Sequence, residues 1–437
     1  MINKWIDRPA KKLVFFISIF VFLTYSIFAD VNKNAEKELS KQLVKLEGDL
    51  IIDCTKIDEI IYQRGAIYEN EEITAYVNRI AKRVMDGVQI DDKTDIKIKI
   101  IRDPIVNAFA LPNGSIYVHT GALARLENEA QLAFLLGHEI SHVDKKDGVY
   151  HTHSTHKKTI AYKLVDIILA PTSVFFGILG DLTQFAFGIL HVSTVTGYSR
   201  KIEARADTDS ILWVTEKGYD PDEAQTLLEI FLKEKEKYQT GTEIYFLMNH
   251  PSNEWRLKNI KSAISKEYGD DVKGDVKEEE FLCKMTEVKL YNATLNMKMD
   301  RMEHAKDNIE WVLNKFPDNP HAHYLLGEVL RLEAEDKTKL KYELNQDKWK
   351  ELEKKSKESS LEDGWYKEAM NEYEAALKCD PNYVDSYKGI GHLYYAKKDR
   401  ENALTYFSRY LAICPDAKDK RYIESLIKRL NDNQKEL

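Results

Sequence analysis

The segment His138-Glu139-Ile140-Ser141-His142 limits what this chain can fold into more than any other stretch. Its two histidines act together only on a helix, where residues four apart share a face. There His138 and His142 present two imidazole nitrogens to one metal ion. Glu139 lies beside them, able to hold and deprotonate a water, which is the zinc-peptidase arrangement. The flanks agree with a helix. Glu127 and Glu129 stand in its expected first turn, where negative charge suits the dipole. Leu132, Leu135, Leu136, Ile140 and Val143 recur at helical spacing. Lys145 and Lys146 follow near the end, and Gly148 is the expected stop. With 12 His in 437 residues, chance alone yields such a match on the order of a few times per hundred chains. A site therefore needs a third ligand.

That ligand is expected at Glu203. Ser199 to Asp207 opens a second helical stretch running to about Lys217, and Glu203 and Asp207 share one of its faces. One carboxylate can bind metal. The other can accept a hydrogen bond from a ligand imidazole and fix its tautomer. Alone the pair would read as a solvated acidic face; its place after the His-Glu helix changes that reading. Upstream, the run Asn107 to Gly114 sits between Ile96–Ile100 and Ser115–Val118, which alternate or run apolar as strands do. Asn113-Gly114 is a hairpin-turn signal. A sheet edge beside a zinc helix can pair with an extended peptide. Asn107, Ala108, Phe109 and Ala110 are then the candidate substrate strand, with a plain structural hairpin as the alternative.

Together these segments resemble the M48 family of zinc metallopeptidases over roughly residues 60–260. Asn107–Gly114 looks like that family's strand-and-turn motif, His138–His142 its zinc helix, and Ser199–Asp207 its third-ligand helix. His250-Pro251 with Arg256 looks like its closing element. Asn113 stands where the family often has Gly, a change that a turn tolerates. The resemblance implies a zincin-like fold, one Zn2+ per chain on His138, His142 and Glu203, and Glu139 as general base. Three roles are open for His250: a plug in zinc's open position, a donor to the oxyanion during turnover, or a turn residue before Pro251.

The four cysteines (Cys54, Cys283, Cys379, Cys414) form no C-x-x-C pair and read as helix residues, with a disulfide open in an oxidising compartment. A net charge of −8 argues against nucleic acid as a partner. Lys4, Arg8, Lys11 and Lys12 precede 16 uncharged residues, Leu13 to Phe28, and then Ala29. Residues 1–29 read as a secretory signal, with an uncleaved membrane anchor as the alternative; a 16-residue run is short for a span. No cysteine marks a lipoprotein junction. The catalytic region is thus expected outside the cytoplasm, in the periplasm or cell envelope. Residues 149–198 hold His151, His153 and His156, read as loop residues, then an almost uncharged stretch over 160–195. A lid over the cleft, a membrane-contacting element and core helices are all compatible with it.

Pro381 and Pro415 lie 34 residues apart, the period of TPR repeats. Tyr387, Gly391, Tyr394, Ala403 and Phe407 occupy the expected places in the last repeat, and Ala369, Tyr373 and Ala376 in the second helix before it. Pro317 lies 64 residues before Pro381, which places an insertion of 30 residues, roughly 333–364, inside the middle repeat as a charged hairpin. A degenerate repeat carries Ala293 and Ala305, and residues 418–437 should form a capping helix.

The fold expected is mainly α with a small β-sheet: a metallopeptidase domain over 30–277, then an α-solenoid of TPR repeats over 278–437. The function expected is a zinc endopeptidase. The resemblance, extended to periplasmic members that carry TPR repeats, implies misfolded or unassembled envelope proteins as substrates, with partner docking on the repeats. The alternative is a TPR chaperone or adaptor for envelope assembly whose zinc site is latent or structural.

Overall fold

The computed structural model describes residues 37–88, 90, 94–155, 198–238, 250, 253–269, 272–343 and 361–432. The N-terminal segment 1–29, the stretch 160–195, His156 and the middle of the 333–364 insertion lie outside the described residues. Among the described residues, no helix is long and apolar enough to cross a membrane.

The described residues open with helix α1 over 37–63 and α2 over Glu71–Met85. Asn70 caps α2, its side chain accepting from the Ile73 N–H at 3.0 Å, while Glu71 and Glu72 start it and Lys82 and Arg83 end it. Ile73, Tyr76, Val77, Ile80 and Val84 then fall on one buried face.

Three strands follow, β1 Lys97–Ile101, β2 Ala108–Ala110 and β3 Ser115–His119, in the order β1-β3-β2. The hairpin partner of β3 is β2, antiparallel with Phe109 opposite Tyr117, while β1 runs parallel on the other side. The strands expected at 96–100 and 115–118 are thus present, and the strand-and-turn run Asn107–Gly114 forms the hairpin with β3. Gly114 takes φ 89°, and a Cβ there would lie 2.5 Å from the Asp95 carbonyl oxygen, so the turn requires glycine. Asn113 suits the turn too: its Oδ1 accepts from Ser115 N–H at 3.2 Å and its Nδ2 donates to Asp58 at 2.8 Å. Both faces of the sheet are covered. Ile98, Ile100, Ala108, Ala110, Ile116 and Val118 enter the main core, and Ile101, Phe109 and Tyr117 pack against Cys54, Ile57 and Ile61 of α1.

After the short α3 (Thr120–Leu123) comes the central helix α4, Glu129–Asp144. It begins later than expected: Asn128 is the cap, accepting from Gln131 N–H at 2.9 Å, and Glu127 stays outside. From Glu129 to Val143 every residue is buried, so α4 has no solvent face. Its buried Glu129 is satisfied by the Tyr76 hydroxyl at 2.8 Å and the Tyr219 hydroxyl at 2.7 Å. The stop is not Gly148 but Lys146, which takes a left-handed φ of 54°. Helix α5 (Asp147–Thr155) begins at once, and His151 and His153 sit on it rather than in a loop.

Helix α6, Arg200–Glu216, crosses α4 closely. A Cβ at Gly137 would lie 2.4 Å from Ser210 Oγ, and that hydroxyl donates to the Phe134 carbonyl at 2.7 Å. Helices α7 (Glu223–Tyr238) and α8 (Asn253–Tyr268) complete this part of the core. The core does not stop at 277. In α9, Glu278–Lys298, Phe281, Met285 and Val288 belong to the cluster that holds α4, whereas Leu290 and Ala293 belong to the next cluster along the tail. Arg125 ties the same junction, reaching Glu234 of α7 at 2.6 Å and Asn308 at 2.8 Å.

The tail is a run of helices: α10 Met302–Lys315, α11 Pro320–Glu343, α12 Leu361–Cys379, α13 Val384–Ala396, α14 Arg400–Ile413 and α15 Lys420–Asp432. The repeat positions read from sequence are buried: Ala293, Ala305, Ala369, Tyr373, Ala376, Tyr387, Ala403 and Phe407. α15 seals the end with Ile423 and Leu426. All four cysteines are free: Cys54 in α1, Cys283 in α9, Cys379 closing α12 and Cys414 capping α14.

Candidate metal centre

Three elements meet at one point. α4 supplies His138 and His142, whose Nε2 atoms lie 3.1 Å apart. α6 supplies Glu203 from its first turn, set by the Ser199 cap, with Oε2 at 3.6 Å from His138 Nε2 and Oε1 at 3.9 Å from His142 Nε2. His250, three residues before α8, places Nδ1 at 3.1 Å from His138 Nε2 and 3.0 Å from both Glu203 oxygens. The four potential ligand atoms lie within 4.8 Å of one another, and all four residues are buried.

The outer ring nitrogens explain why these atoms point inward. His138 Nδ1 lies 2.9 Å from Asp207 Oδ1 and His142 Nδ1 lies 2.8 Å from Asp147 Oδ2. Beside a carboxylate, each Nδ1 carries the hydrogen and donates it. Each Nε2 then directs a lone pair at the other across 3.1 Å. That arrangement is repulsive unless a cation sits between them, so the donor set of two imidazoles and a carboxylate fits a divalent metal.

The carboxylates are themselves held. Arg256, fully buried, donates from Nε to Asp207 Oδ2 at 2.9 Å and from Nη2 to Oδ1 at 2.6 Å, and places Nη1 at 3.6 Å from Glu203. Arg205 forks Asp147, with Nη1 donating to Oδ1 at 3.0 Å and Nη2 to Oδ2. Tyr198 stacks on His142, centroids 4.2 Å apart and planes 23° apart.

Electrostatics follow from burial first. It pushes the Glu203 carboxyl up, but His250 and Arg256 outweigh it and hold the group at about 2, ionised as a ligand must be. Burial, reinforced by Arg256, drives His138 well below the ordinary imidazole range, so it stays neutral. Burial raises Glu139 to about 7. Glu139 Oε1 is buried without a hydrogen-bond partner among the described residues, with His250 Nε2 3.5 Å away. A carboxylate so placed beside a metal site is suited to gripping a water.

The structure thus brings together His138, Glu139, His142, Glu203, Asp207, His250 and Arg256, all seven named from sequence. β2 packs on α4 and, among the described residues, is the edge strand of its sheet, with Asn107, Ala108, Phe109 and Ala110 all buried. Sequence reasoning missed Asp147, Arg205 and Tyr198. The one available signal was a carboxylate five residues past His142, which spacing on a continuous helix does not place near the ring; the left-handed turn at Lys146 does.

Comparison with known proteins agrees with this geometry. Residues 71–264 match the model for Peptidase family M48, and residues 361–398 match a TPR repeat. Mitochondrial metalloendopeptidase OMA1 of Schizosaccharomyces pombe is 31% identical over 191 residues, covering 43% of this chain and 52% of that protein. The Arabidopsis thaliana protein of the same name is 28% identical over 169 residues, covering 38% and 31%. Beta-barrel assembly-enhancing protease of Escherichia coli is 26% identical over 245 residues, covering 54% and 48%. The chain spans about half the length, or less, of these curated relatives.

Proposed function

We propose, from the premise that residues 71–264 form a Peptidase family M48 domain, that this chain is a zinc-dependent endopeptidase. The observation that carries the reading is the pair of inward-facing Nε2 atoms 3.1 Å apart, closed by Glu203 and flanked by the unpartnered Oε1 of Glu139. His138, His142 and Glu203 hold the metal. Zinc bound there supplies Lewis acidity and makes a neighbouring water more acidic. Glu139, raised to about 7, takes a proton from that water and passes it to the leaving amine. Asp207 holds His138 in the tautomer that binds metal, and Arg256 holds Asp207. An extended substrate adds to the β2 edge at Asn107–Ala110. His250 lies within the ligand set rather than at a turn away from it, which supports its role as a plug in the fourth position.

The substrates are misfolded or unassembled proteins of the cell envelope, and the repeats dock substrates or partners. Support comes from the likeness to Beta-barrel assembly-enhancing protease of Escherichia coli and from the TPR match. Export to the periplasm or envelope rests on the apolar run Leu13 to Phe28, and membrane contact on the stretch 160–195.

The test is casein cleavage by purified protein with and without chelator, alongside zinc content. About one zinc per chain is expected. Glu139→Gln should keep the zinc and abolish turnover, while His138→Ala and His142→Ala should lose the zinc. Cleavage that survives Glu139→Gln would refute the reading, and a zinc-loaded wild type with no turnover on any unfolded substrate would favour the adaptor alternative.

A further inference from the structure

We propose that Asp147 and Arg205 are positioning residues for His142, a second anchor of the metal centre built separately from Asp207 and Arg256. The proposal rests on the metallopeptidase reading. It comes from the layout around the two imidazoles. His138 is held by a carboxylate from α6 whose arginine comes from α8. His142 is held by Asp147 at the start of α5, whose arginine comes from α6. The left-handed turn at Lys146 is what folds Asp147 back onto a ring five residues earlier. Asp147 is buried, and both its oxygens accept from the Arg205 guanidinium. Arg205 also faces Asp209 at 3.5 Å, and Asp209 in turn accepts from Ser141 of α4 at 2.7 Å. With Tyr198 stacked on one side, His142 keeps little freedom to turn its Nε2 away.

The two anchors are unequal. The Arg256 side chain is fully buried, whereas that of Arg205 is 32% exposed. Water screens the Arg205 charge and can replace part of its hydrogen bonding. The His142 arm is therefore the more loosely held of the two.

The experiment uses full-length protein. Zinc affinity is measured by competition with a chromophoric chelator, the visible spectrum of the cobalt(II)-substituted form is recorded, and the metal-free proteins are melted. Asp147→Asn should weaken zinc by about 10- to 100-fold and alter the cobalt spectrum, with little change in metal-free melting. Arg205→Gln, at a partly exposed side chain, should weaken zinc less but in the same direction. The Asp147→Asn/Arg205→Gln double variant should be no worse than Asp147→Asn alone, because the two act as one unit. The losses of Asp147→Asn and Asp207→Asn should multiply, because those anchors are separate. Wild-type zinc affinity in both Asp147→Asn and Arg205→Gln overturns the proposal. So does a zinc loss matched by an equal drop in metal-free melting, which marks a structural role. A wild-type chain that takes up no zinc removes the metallopeptidase reading, and this assignment with it.

Discussion

A chain ending at Lys277 should fail to fold around its metal centre, whereas one ending at Asp300 should succeed. The difference is α9. Phe281, Met285 and Val288 are fully buried in the cluster that also contains Leu132, Leu135, Leu136 and Ile140 of α4. Burying each such side chain stabilises by about 1.5–3 kcal/mol, so deleting all three removes roughly 5–9 kcal/mol. Domain stabilities are only about 5–15 kcal/mol, so the loss is comparable to the whole. The ion pairs lost with them, Arg79–Glu280 and Glu72–Lys284, lie at the surface and change the balance little. Thermal melting and zinc content of the two chain lengths check this. In the full chain, Phe281→Ala alone should cost about 3–5 kcal/mol and lower the melting temperature, with zinc still bound in the cold. Equal melting temperatures for the two truncated chains would refute the reasoning and put the boundary at 277 after all.

Glu203→Gln should weaken zinc strongly, since it removes the anionic ligand, while Asp207→Asn should cost about 10- to 100-fold; chelator competition ranks them, and the reverse order would exchange their roles. His250→Ala should raise proteolysis of a short peptide with zinc retained; a fall of about 100-fold in kcat would instead make His250 an oxyanion donor. Lys289 gives a pH signature. Burial, with Arg125 nearby, lowers it to about 7, its Nζ donating to the Ala124 carbonyl and lying 4.0 Å from the Trp311 ring centre. Between that value and the ordinary 10.5, the unfolded chain holds the proton and the folded chain releases it, so stability should rise with pH across that window. Melting from pH 6 to 10 tests this, and Lys289→Met should flatten the slope relative to wild type.

What could be read from sequence was what repeats or recurs at fixed spacing. The His138–His142 helix was visible because a shared helical face needs no tertiary knowledge, and the same holds for Glu203 and Asp207. The tail was visible because a 34-residue period survives an insertion. What escaped depended on single backbone angles and on packing between distant elements. Lys146 has no glycine to announce its left-handed turn, so both the true helix end and Asp147 were missed. Ile96–Ile100 shows as a strand because it alternates, whereas β2 is only three residues of Ala-Phe-Ala, and that β1 joins β3 in parallel on the far side is a matter of packing that no local pattern shows. The boundary at 277 follows a change of motif, not of packing, and nothing in the pattern of α9 says that its two halves serve different cores.

The shortness of β2 has a kinetic consequence. An edge of three residues, two of them alanine, would offer the proposed substrate mainly backbone hydrogen bonds and few side-chain pockets. Under the proposed strand addition, such an edge would rank client proteins by how often a segment comes loose, not by which residues that segment contains. When opening and closing are fast relative to cleavage, the rate follows the population of the open form, falling about tenfold for every 1.4 kcal/mol of local stability. An enzyme built this way would need no sequence code to separate a finished protein from a stalled one: the finished protein stops presenting free strands.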